Sequence, residues 1–284
     1  MKRNFEQRVY ELAWEFLLEK VKPFGITETE IKKYLTPEQK DRPNDLNGIF
    51  KRILESAKNT DRKEKVIKNI DNLGKILFRF NPKKTIQHYG MNYKMLIENL
   101  DQELDNKVKQ NDRGIWTVFA KTILTAAEFL SSFASGKEFY EWVEKIYEEE
   151  KSRIALPLIL SNAITGLGFA LSCDFLKELG YTEFGKPDTH IKYIFRELGL
   201  LGDVSIYTKS SLDYHYHQAI LRLAKSVKPC HGENITPYAV DKLFWLIGSR
   251  YFYKHPKIGK DGRINAWRKE DFIRFVKNKL KIDL

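Results

Sequence analysis

The chain has 284 residues, of which 42% are hydrophobic and 31% are charged, a composition typical of a folded globular protein and not of a disordered one. No apolar run approaches the ~20 residues that span a bilayer, and two cysteines are too few for a disulfide framework or a four-cysteine metal cluster. We therefore expect a cytoplasmic protein without membrane contact. The formal net charge of +11 favours a polyanionic partner.

The basic side chains are concentrated towards the C-terminal end. Residues 201–284 carry 16 basic and 8 acidic side chains, and most of the excess follows Gly248. A phosphate backbone is the polyanion that such a one-ended distribution most often binds. A solvated basic surface without a partner is the alternative interpretation.

The first elements have clear helix signals. Residues 5–21 place their apolar side chains on one helix face, and Pro23 and Gly25 end the run. Thr27 opens a short helix with Glu30 three residues later, which is the pattern of a capping box.

The helical pattern continues through the middle of the chain. Asp61 starts a predicted helix over residues 63–80, which ends at Asn81-Pro82, and these two residues also provide the cap and first turn of the next helix. Residues 115–134 are apolar almost all round, as in a helix buried within a bundle. Because no run alternates in the manner of a strand, the sequence predicts an all-α protein. These features alone also fit a helical scaffold with no active site.

A tight turn is predicted between two helices, one ending near Ile164 and the next running from about Phe169 to Leu179. The turn is Thr165-Gly166-Leu167-Gly168. Its two glycines permit a left-handed turn and a close approach of phosphate, and the N–H groups that begin the second helix attract an anion. Leu167 is expected to pin the turn between the helices. An ordinary helix C-cap is the simpler alternative.

A second motif follows at Lys186-Pro187-Asp188-Thr189-His190-Ile191. Asp188 stands at the head of a predicted helix, where an aspartate most often serves as the N-cap. The two motifs nevertheless occur in a fixed order, with the glycine turn followed by an amphipathic helix, a short loop and the aspartate. This combination is less expected by chance than either motif alone.

Residues from about 155 to 200, roughly a sixth of the chain, resemble the helix-hairpin-helix–Gly/Pro–Asp superfamily of base-excision DNA glycosylases. The family's L-P-G-V-G turn corresponds to ITGLG here, its V-D-T-H-[IV] stretch to KPDTHI, and the 22 residues from Gly166 to Asp188 suit the family's spacing. The resemblance implies two helical lobes with a central cleft and a helix-hairpin-helix motif. One lobe would span residues 62–186, and the other would combine 1–61 with 187–284.

The resemblance also implies the roles of the site residues. Asp188 would be the catalytic carboxylate, facing the sugar of an everted nucleotide, and a monovalent cation would bind the hairpin carbonyls. The residues expected to contact DNA are Thr165, Gly166, Leu167, Gly168, Ala170, Lys186, His190 and Arg250. The partner would be double-stranded DNA containing a damaged or modified base, bound by a monomer.

Departures from the family pattern narrow the expected activity. Family members that also cut the strand carry a lysine where this chain has Ala170, which cannot form a Schiff base. A monofunctional glycosylase is therefore expected, although a lyase activity through another lysine, such as Lys177 or Lys186, stays open. The cysteines of the family's iron–sulfur branch are missing, and Thr165 stands where the family has proline.

The expected chemistry follows from the bond that breaks. Loss of a base develops positive charge on the sugar, which a carboxylate stabilises while it orients or deprotonates water. The helix N-terminus is expected to keep Asp188 ionised, and His190 to fix the helix start rather than transfer a proton. The base must first leave the stack. Alkylated purines are the favoured substrates because they leave readily; deaminated or mispaired pyrimidines, oxidised purines and hypermodified bases stay open.

Candidate residues for the base pocket are aromatic or basic: Trp116, Lys121, Trp245 and Tyr251. Their helical spacing equally fits core positions.

Three further groups of side chains are expected to have no role in the site. Thr236-Pro237 marks another helix start, with Asp241 and Lys242 expected on the surface. No zinc-binding spacing occurs in Tyr214–His217 or Cys230-His231, so no metal is expected there and the histidines should be partly exposed. A helix-hairpin-helix protein that binds DNA without catalysis is the remaining alternative for the whole chain.

Overall fold

The computed structural model describes residues 4–37, 42–60, 63, 66–67, 69–104, 108, 113–208, 211–231, 235–253, 255–256, 258 and 262–281. These residues form thirteen α-helices and no strand, which confirms the predicted all-α class. In chain order the helices are α1 (Phe5–Val21), α2 (Glu28–Leu35), α3 (Leu46–Lys58), α4 (Pro82–Tyr89), α5 (Tyr93–Glu103), α6 (Arg113–Ser131), α7 (Gly136–Tyr147), α8 (Ala155–Ala163), α9 (Gly168–Glu178), α10 (Thr189–Glu197), α11 (Leu212–His231), α12 (Pro237–Ser249) and α13 (Lys269–Leu280).

The chain divides into two compact units. Residues 40–179 form one, here called the inserted unit, and residues 1–39 with 180–284 form the other, the terminal unit. The family resemblance implies boundaries after residues 61 and 186. The hairpin therefore belongs to the inserted unit, whereas Asp188 belongs to the terminal unit.

Helix α1 illustrates how the terminal unit is built from both ends of the chain. Asn4 and Gln7 form a capping box at its start, and its buried stripe, including Val9 and Phe16, packs against α11, α12 and α13. The predicted helix over residues 5–21 is confirmed. The capping box of Thr27 and Glu30 is also present, with Thr27 Oγ1 accepting from the Glu30 N–H at 3.3 Å.

The continuous helix predicted over residues 63–80 is wrong for the part that the structure describes. A 3-10 turn at Ile70–Leu73 is followed by turns, and Phe78, Arg79 and Phe80 have left-handed φ angles of 51°, 57° and 58°. Burial of Leu73 and Leu77 in the core accompanies this path, so tertiary packing overrides local helix preference. Residues 61, 62, 64, 65 and 68 lie outside the described residues.

The inserted unit surrounds α6, the helix predicted to be buried within a bundle. Helices α3, α4 and α5 pack against it. Asn81 caps α4 as predicted, accepting from the Lys84 N–H at 2.9 Å. The two ends of the unit meet where Arg42 Nε donates to the Leu179 carbonyl at 2.7 Å.

In the described residues, no single helix is long and apolar enough to cross a membrane. Helices α8 and α9, bent by 117° relative to each other, pass the length and composition criteria together.

Candidate functional site

The glycine turn has the predicted conformation. Helix α8 ends at Ala163, α9 begins at Gly168, and Gly166 and Gly168 adopt left-handed φ angles of 79° and 47°. Leu167 is fully buried between them, as predicted. A Cβ on Gly166 would lie 2.7 Å from Thr122 Oγ1, so this glycine lets the turn pack against α6. A Cβ on Gly168 would meet nothing within 4 Å, so this face of the turn is open.

The backbone amides of the turn are partly used by the fold. Thr165 donates its N–H to Thr125 Oγ1 at 3.0 Å, and Leu167 donates to the Ile164 carbonyl at 3.2 Å. The N–H groups of Gly168 and Ala170 donate to no acceptor within the described ranges. Those two amides are therefore the donors that an anion at the start of α9 would meet.

Asp188 is the N-cap of α10, and its two carboxylate oxygens differ. Oδ1 accepts from the N–H groups of His190 and Ile191, both at 2.9 Å. In the part of the chain that the structure describes, no group donates to Oδ2. The side chain is half-buried. One oxygen is thus fixed by the helix while the other keeps its capacity to accept a hydrogen bond.

The loop before Asp188 is held by a buried carboxylate. Asp241, only 2% exposed, accepts from the Lys186 N–H through Oδ2 at 2.9 Å. The Lys186 carbonyl in turn accepts from the Asp188 N–H at 2.8 Å. The prediction that Asp241 lies on the surface is wrong, because this residue lies on the same face of α12 as the buried Pro237 and Phe244. Its neighbour Lys242 is half-buried.

A buried histidine supports the same loop. His217 is 1% exposed, its Nδ1 lies 3.0 Å from the Gly185 carbonyl, and its ring stacks on Phe184. Burial lowers the pKa of His217 from 6.5 to about 4, against the opposing effects of the Gly185 hydrogen bond and the charge of Asp241. The imidazole is therefore neutral at pH 7, and Nδ1 donates because a carbonyl can only accept. The prediction of partial exposure is wrong for His217 and holds for His215.

The pKa of Asp188 lies above its ordinary value. Burial is the largest cause, and the negative charge of Asp241 raises the pKa further. The Ile191 N–H and the charges of His190 and Lys186 act in the opposite direction. The helix N-terminus therefore favours the ionised form as predicted, but desolvation outweighs it.

Two predicted DNA contacts also serve the fold. His190 packs closely on α12, where a Cβ on Gly248 would lie 2.5 Å from the His190 Cβ. Arg250 is the left-handed C-cap of α12, and its guanidinium donates to the Trp267 carbonyl at 3.1 Å. Both side chains are half-buried, so each offers DNA only part of its surface.

Two of the four base-pocket candidates are brought together. The rings of Trp245 and Tyr251 lie 6.2 Å apart, and Tyr253 lies 6.0 Å from Trp245. Lys242 Nζ lies 5.1 Å from the centroid of a Trp245 ring. These half-buried side chains form a small aromatic cluster with a cation beside it. Sequence reasoning missed Tyr253 and Lys242.

The other two candidates have different surroundings. Trp116 is 4% exposed and packs edge-on against Phe119, so it is a core residue of the inserted unit and not an open stacking surface. Lys121 is exposed, with Nζ lying 4.8 Å from the Tyr93 ring centroid.

The remaining candidates for chemistry are a lyase lysine and a metal-binding group. Lys177, named as a lyase alternative, is 4% exposed and lies 3.5 Å from the buried Asp174 carboxylate. Among described residues no group of three or more His, Cys, Asp or Glu side chains is placed to hold a metal ion. The side chains of Cys230 and His231 lie outside the described residues.

Comparisons with protein-family models, curated proteins and solved structures each found no match to this chain. The resemblance to the glycosylase superfamily accordingly depends on the hairpin and Asp188 motifs themselves.

The open face of the hairpin predicts separate effects of two glycine substitutions. Gly168→Ala has space for its methyl group but must keep a left-handed φ, which costs about 1 kcal/mol of folding free energy. Gly199→Ala is the matched control, since Gly199 also has a positive φ and open surroundings. We expect equal stability losses by thermal unfolding, but weaker duplex DNA binding by fluorescence anisotropy only for Gly168→Ala. Equal DNA binding by the two variants would contradict the assignment.

The raised pKa of Asp188 predicts the pH dependence of stability in Asp188→Asn. A raised carboxyl pKa stabilises the fold below the unfolded-state pKa, and this stabilisation is lost as pH rises through the folded-state pKa. Asparagine keeps the N-cap without carrying a charge. We expect its unfolding midpoint at pH 7 to equal or exceed that of the unsubstituted protein, with any gain vanishing at acid pH. Asp188→Ala, which loses the cap, should be less stable by about 1 kcal/mol.

Proposed function

We propose that the protein is a monofunctional DNA glycosylase that turns a damaged or modified base out of duplex DNA and hydrolyses its N-glycosidic bond with Asp188. The observation that carries the proposal is the asymmetry of the Asp188 carboxylate. Oδ1 is fixed by two backbone amides, whereas Oδ2 accepts no hydrogen bond within the described residues. A carboxylate that is held rigidly through one oxygen, while the other oxygen can still accept a hydrogen bond, is suited to stabilise positive charge on a sugar.

The proposed reaction uses Oδ2 as the reactive atom. The C1′–N bond breaks and its electron pair leaves with the base, while the carboxylate stabilises the positive charge that develops on the sugar. Water then adds to C1′, and its proton passes to Asp188 Oδ2 and on to solvent. An alkylated purine carries a positive charge before cleavage and departs neutral, so it requires no proton donor. This supports alkylated purines as the first substrate class to test.

The inserted unit supplies the proposed grip on the DNA backbone. Phosphate would meet the N–H groups of Gly168 and Ala170 at the start of α9, where the helix dipole also favours an anion. The aromatic cluster of Trp245, Tyr251 and Tyr253 is the proposed surface for stacking on a base. The protein would act as a monomer on DNA in the cytoplasm.

A DNA-binding protein without catalysis is the second candidate. It is favoured by the two hydrogen bonds of Asp188 Oδ1, which give this residue a complete structural role as an N-cap. A lyase activity through Lys177 is disfavoured, since this lysine is 4% exposed and its ammonium is paired with Asp174.

Base release from a panel of duplexes, each with one lesion and read by mass spectrometry of the free base, tests the proposal. We expect release from at least one duplex, and loss of at least a hundredfold of the rate in Asp188→Asn, because the amide cannot stabilise positive charge or accept the water proton. Its affinity for DNA should be unchanged. If both proteins bind DNA and neither releases a base, the non-catalytic candidate is correct.

The charge of Asp241 predicts a shift in the pH profile of release. Asp188 must be ionised to act, so activity falls as pH drops through its pKa, which Asp241 raises. Asp241→Asn keeps an oxygen that can accept from Lys186 and removes the charge. We expect the acid limb of the profile to move to lower pH.

Asp45→Asn is the control for this shift, because Asp45 caps α3 in the inserted unit through a hydrogen bond from the Gly48 N–H. Its acid limb should coincide with that of the unsubstituted enzyme. An unmoved limb in Asp241→Asn would show that the two carboxylates do not interact.

A further inference from the structure

The monovalent cation that the resemblance implies does not fit the hairpin of this chain. The Gly166 carbonyl, one of the hairpin carbonyls to which the resemblance assigns the ion, already accepts a hydrogen bond from Lys63 Nζ at 3.1 Å. An alkali ion bound to the same oxygen would lie within a few ångströms of the ammonium charge, and the two cations would repel each other. This hairpin carbonyl is therefore already bonded to a cationic group that belongs to the protein itself.

The Lys63 ammonium is held firmly in this place. Nζ also donates to the Ala57 carbonyl, at the end of α3, at 2.9 Å, and the side chain is half-buried. Burial lowers the pKa of Lys63, whereas its two carbonyl acceptors favour the charged form.

One hydrogen-bonding position of this ammonium is left over. An ammonium has three N–H donors, and the Ala57 and Gly166 carbonyls take two of them. No residue described by the structure accepts the third.

We propose that the Lys63 ammonium is the resident cation of the hairpin, holding the Gly166 carbonyl in place of an alkali ion and giving its third hydrogen bond to a phosphate of DNA. The DNA contact rests on the proposed function, but the occupation of the carbonyl does not. DNA binding should then respond to total ionic strength through counterion release and be indifferent to which monovalent cation is present.

The first experiment requires no DNA. Crystals of the unsubstituted protein and of Lys63→Met are soaked in thallium(I) acetate, because thallium(I) replaces potassium and is located by its anomalous scattering. We expect no thallium at the Gly166 carbonyl of the unsubstituted protein and a peak there in Lys63→Met. A peak in the unsubstituted protein, or none in the variant, overturns the proposal.

The second experiment measures affinity for duplex DNA at one ionic strength, in potassium chloride and in tetramethylammonium chloride. The dissociation constant of the unsubstituted protein for DNA should differ by no more than about twofold between the two salts. For Lys63→Met, the dissociation constant should be about tenfold higher in tetramethylammonium chloride than in potassium chloride, which is the loss expected for one charged hydrogen bond. Lys75→Met is the control, since Lys75 is in the same unit, is 79% exposed and pairs with Glu103. Its affinity should be independent of the cation.

These outcomes separate the inference from the proposed function. An unsubstituted protein that requires potassium, or a Lys63→Met variant that behaves like Lys75→Met, overturns the inference and leaves base release untouched. Absence of base release leaves both experiments interpretable. If Lys63→Met does not fold, the two measurements on the unsubstituted protein still test the proposal. Thallium bound at the Gly166 carbonyl, or DNA binding that requires potassium, would contradict it.

Discussion

The position of Asp188 depends on one buried hydrogen bond, from the Lys186 peptide to the carboxylate of Asp241. Removing a carboxylate from water is costly unless it is bonded, so Asp241 restrains the peptide that it accepts from. The carbonyl of that same peptide accepts the Asp188 N–H, and His217 holds Gly185 just before it. The buried Asp241 thus fixes the backbone that positions the half-buried Asp188. The negative charge of Asp241 also makes Asp188 harder to ionise.

The three candidate functional groups share one arrangement. Each uses part of its hydrogen-bonding capacity for the fold, and the residues that the structure describes leave the other part unused. Asp188 bonds the start of α10 through Oδ1 and leaves Oδ2. The glycine turn uses the Thr165 amide internally and leaves that of Gly168. The Lys63 ammonium binds two carbonyls and leaves one proton. Groups held in this way lose little conformational freedom on binding, which favours both affinity and catalysis.

Local chemistry explains which of these features the sequence predicts. The Gly166–Gly168 turn and the Asp188, Asn81 and Thr27 caps involve residues within a few positions of one another, so spacing alone reveals them. The prediction of a surface position for Asp241 is wrong, although the helical spacing of this residue from the apolar Pro237 and Phe244 places it on a buried face of α12. No spacing rule brings Lys63 to Gly166, because that contact joins distant segments through tertiary packing.

The contact between Arg42 and Leu179 has a consequence for folding. It ties together the two ends of the inserted unit, which interrupts the terminal unit between residues 39 and 180. While the inserted unit is unfolded, the terminal unit must close a long flexible loop to bring α1 onto α11, α12 and α13. Once the inserted unit has folded, its joined ends replace that loop by a short rigid connection, which removes a closure cost on the order of 3 kcal/mol. Folding of the inserted unit thus lowers the entropic cost of assembling the terminal unit.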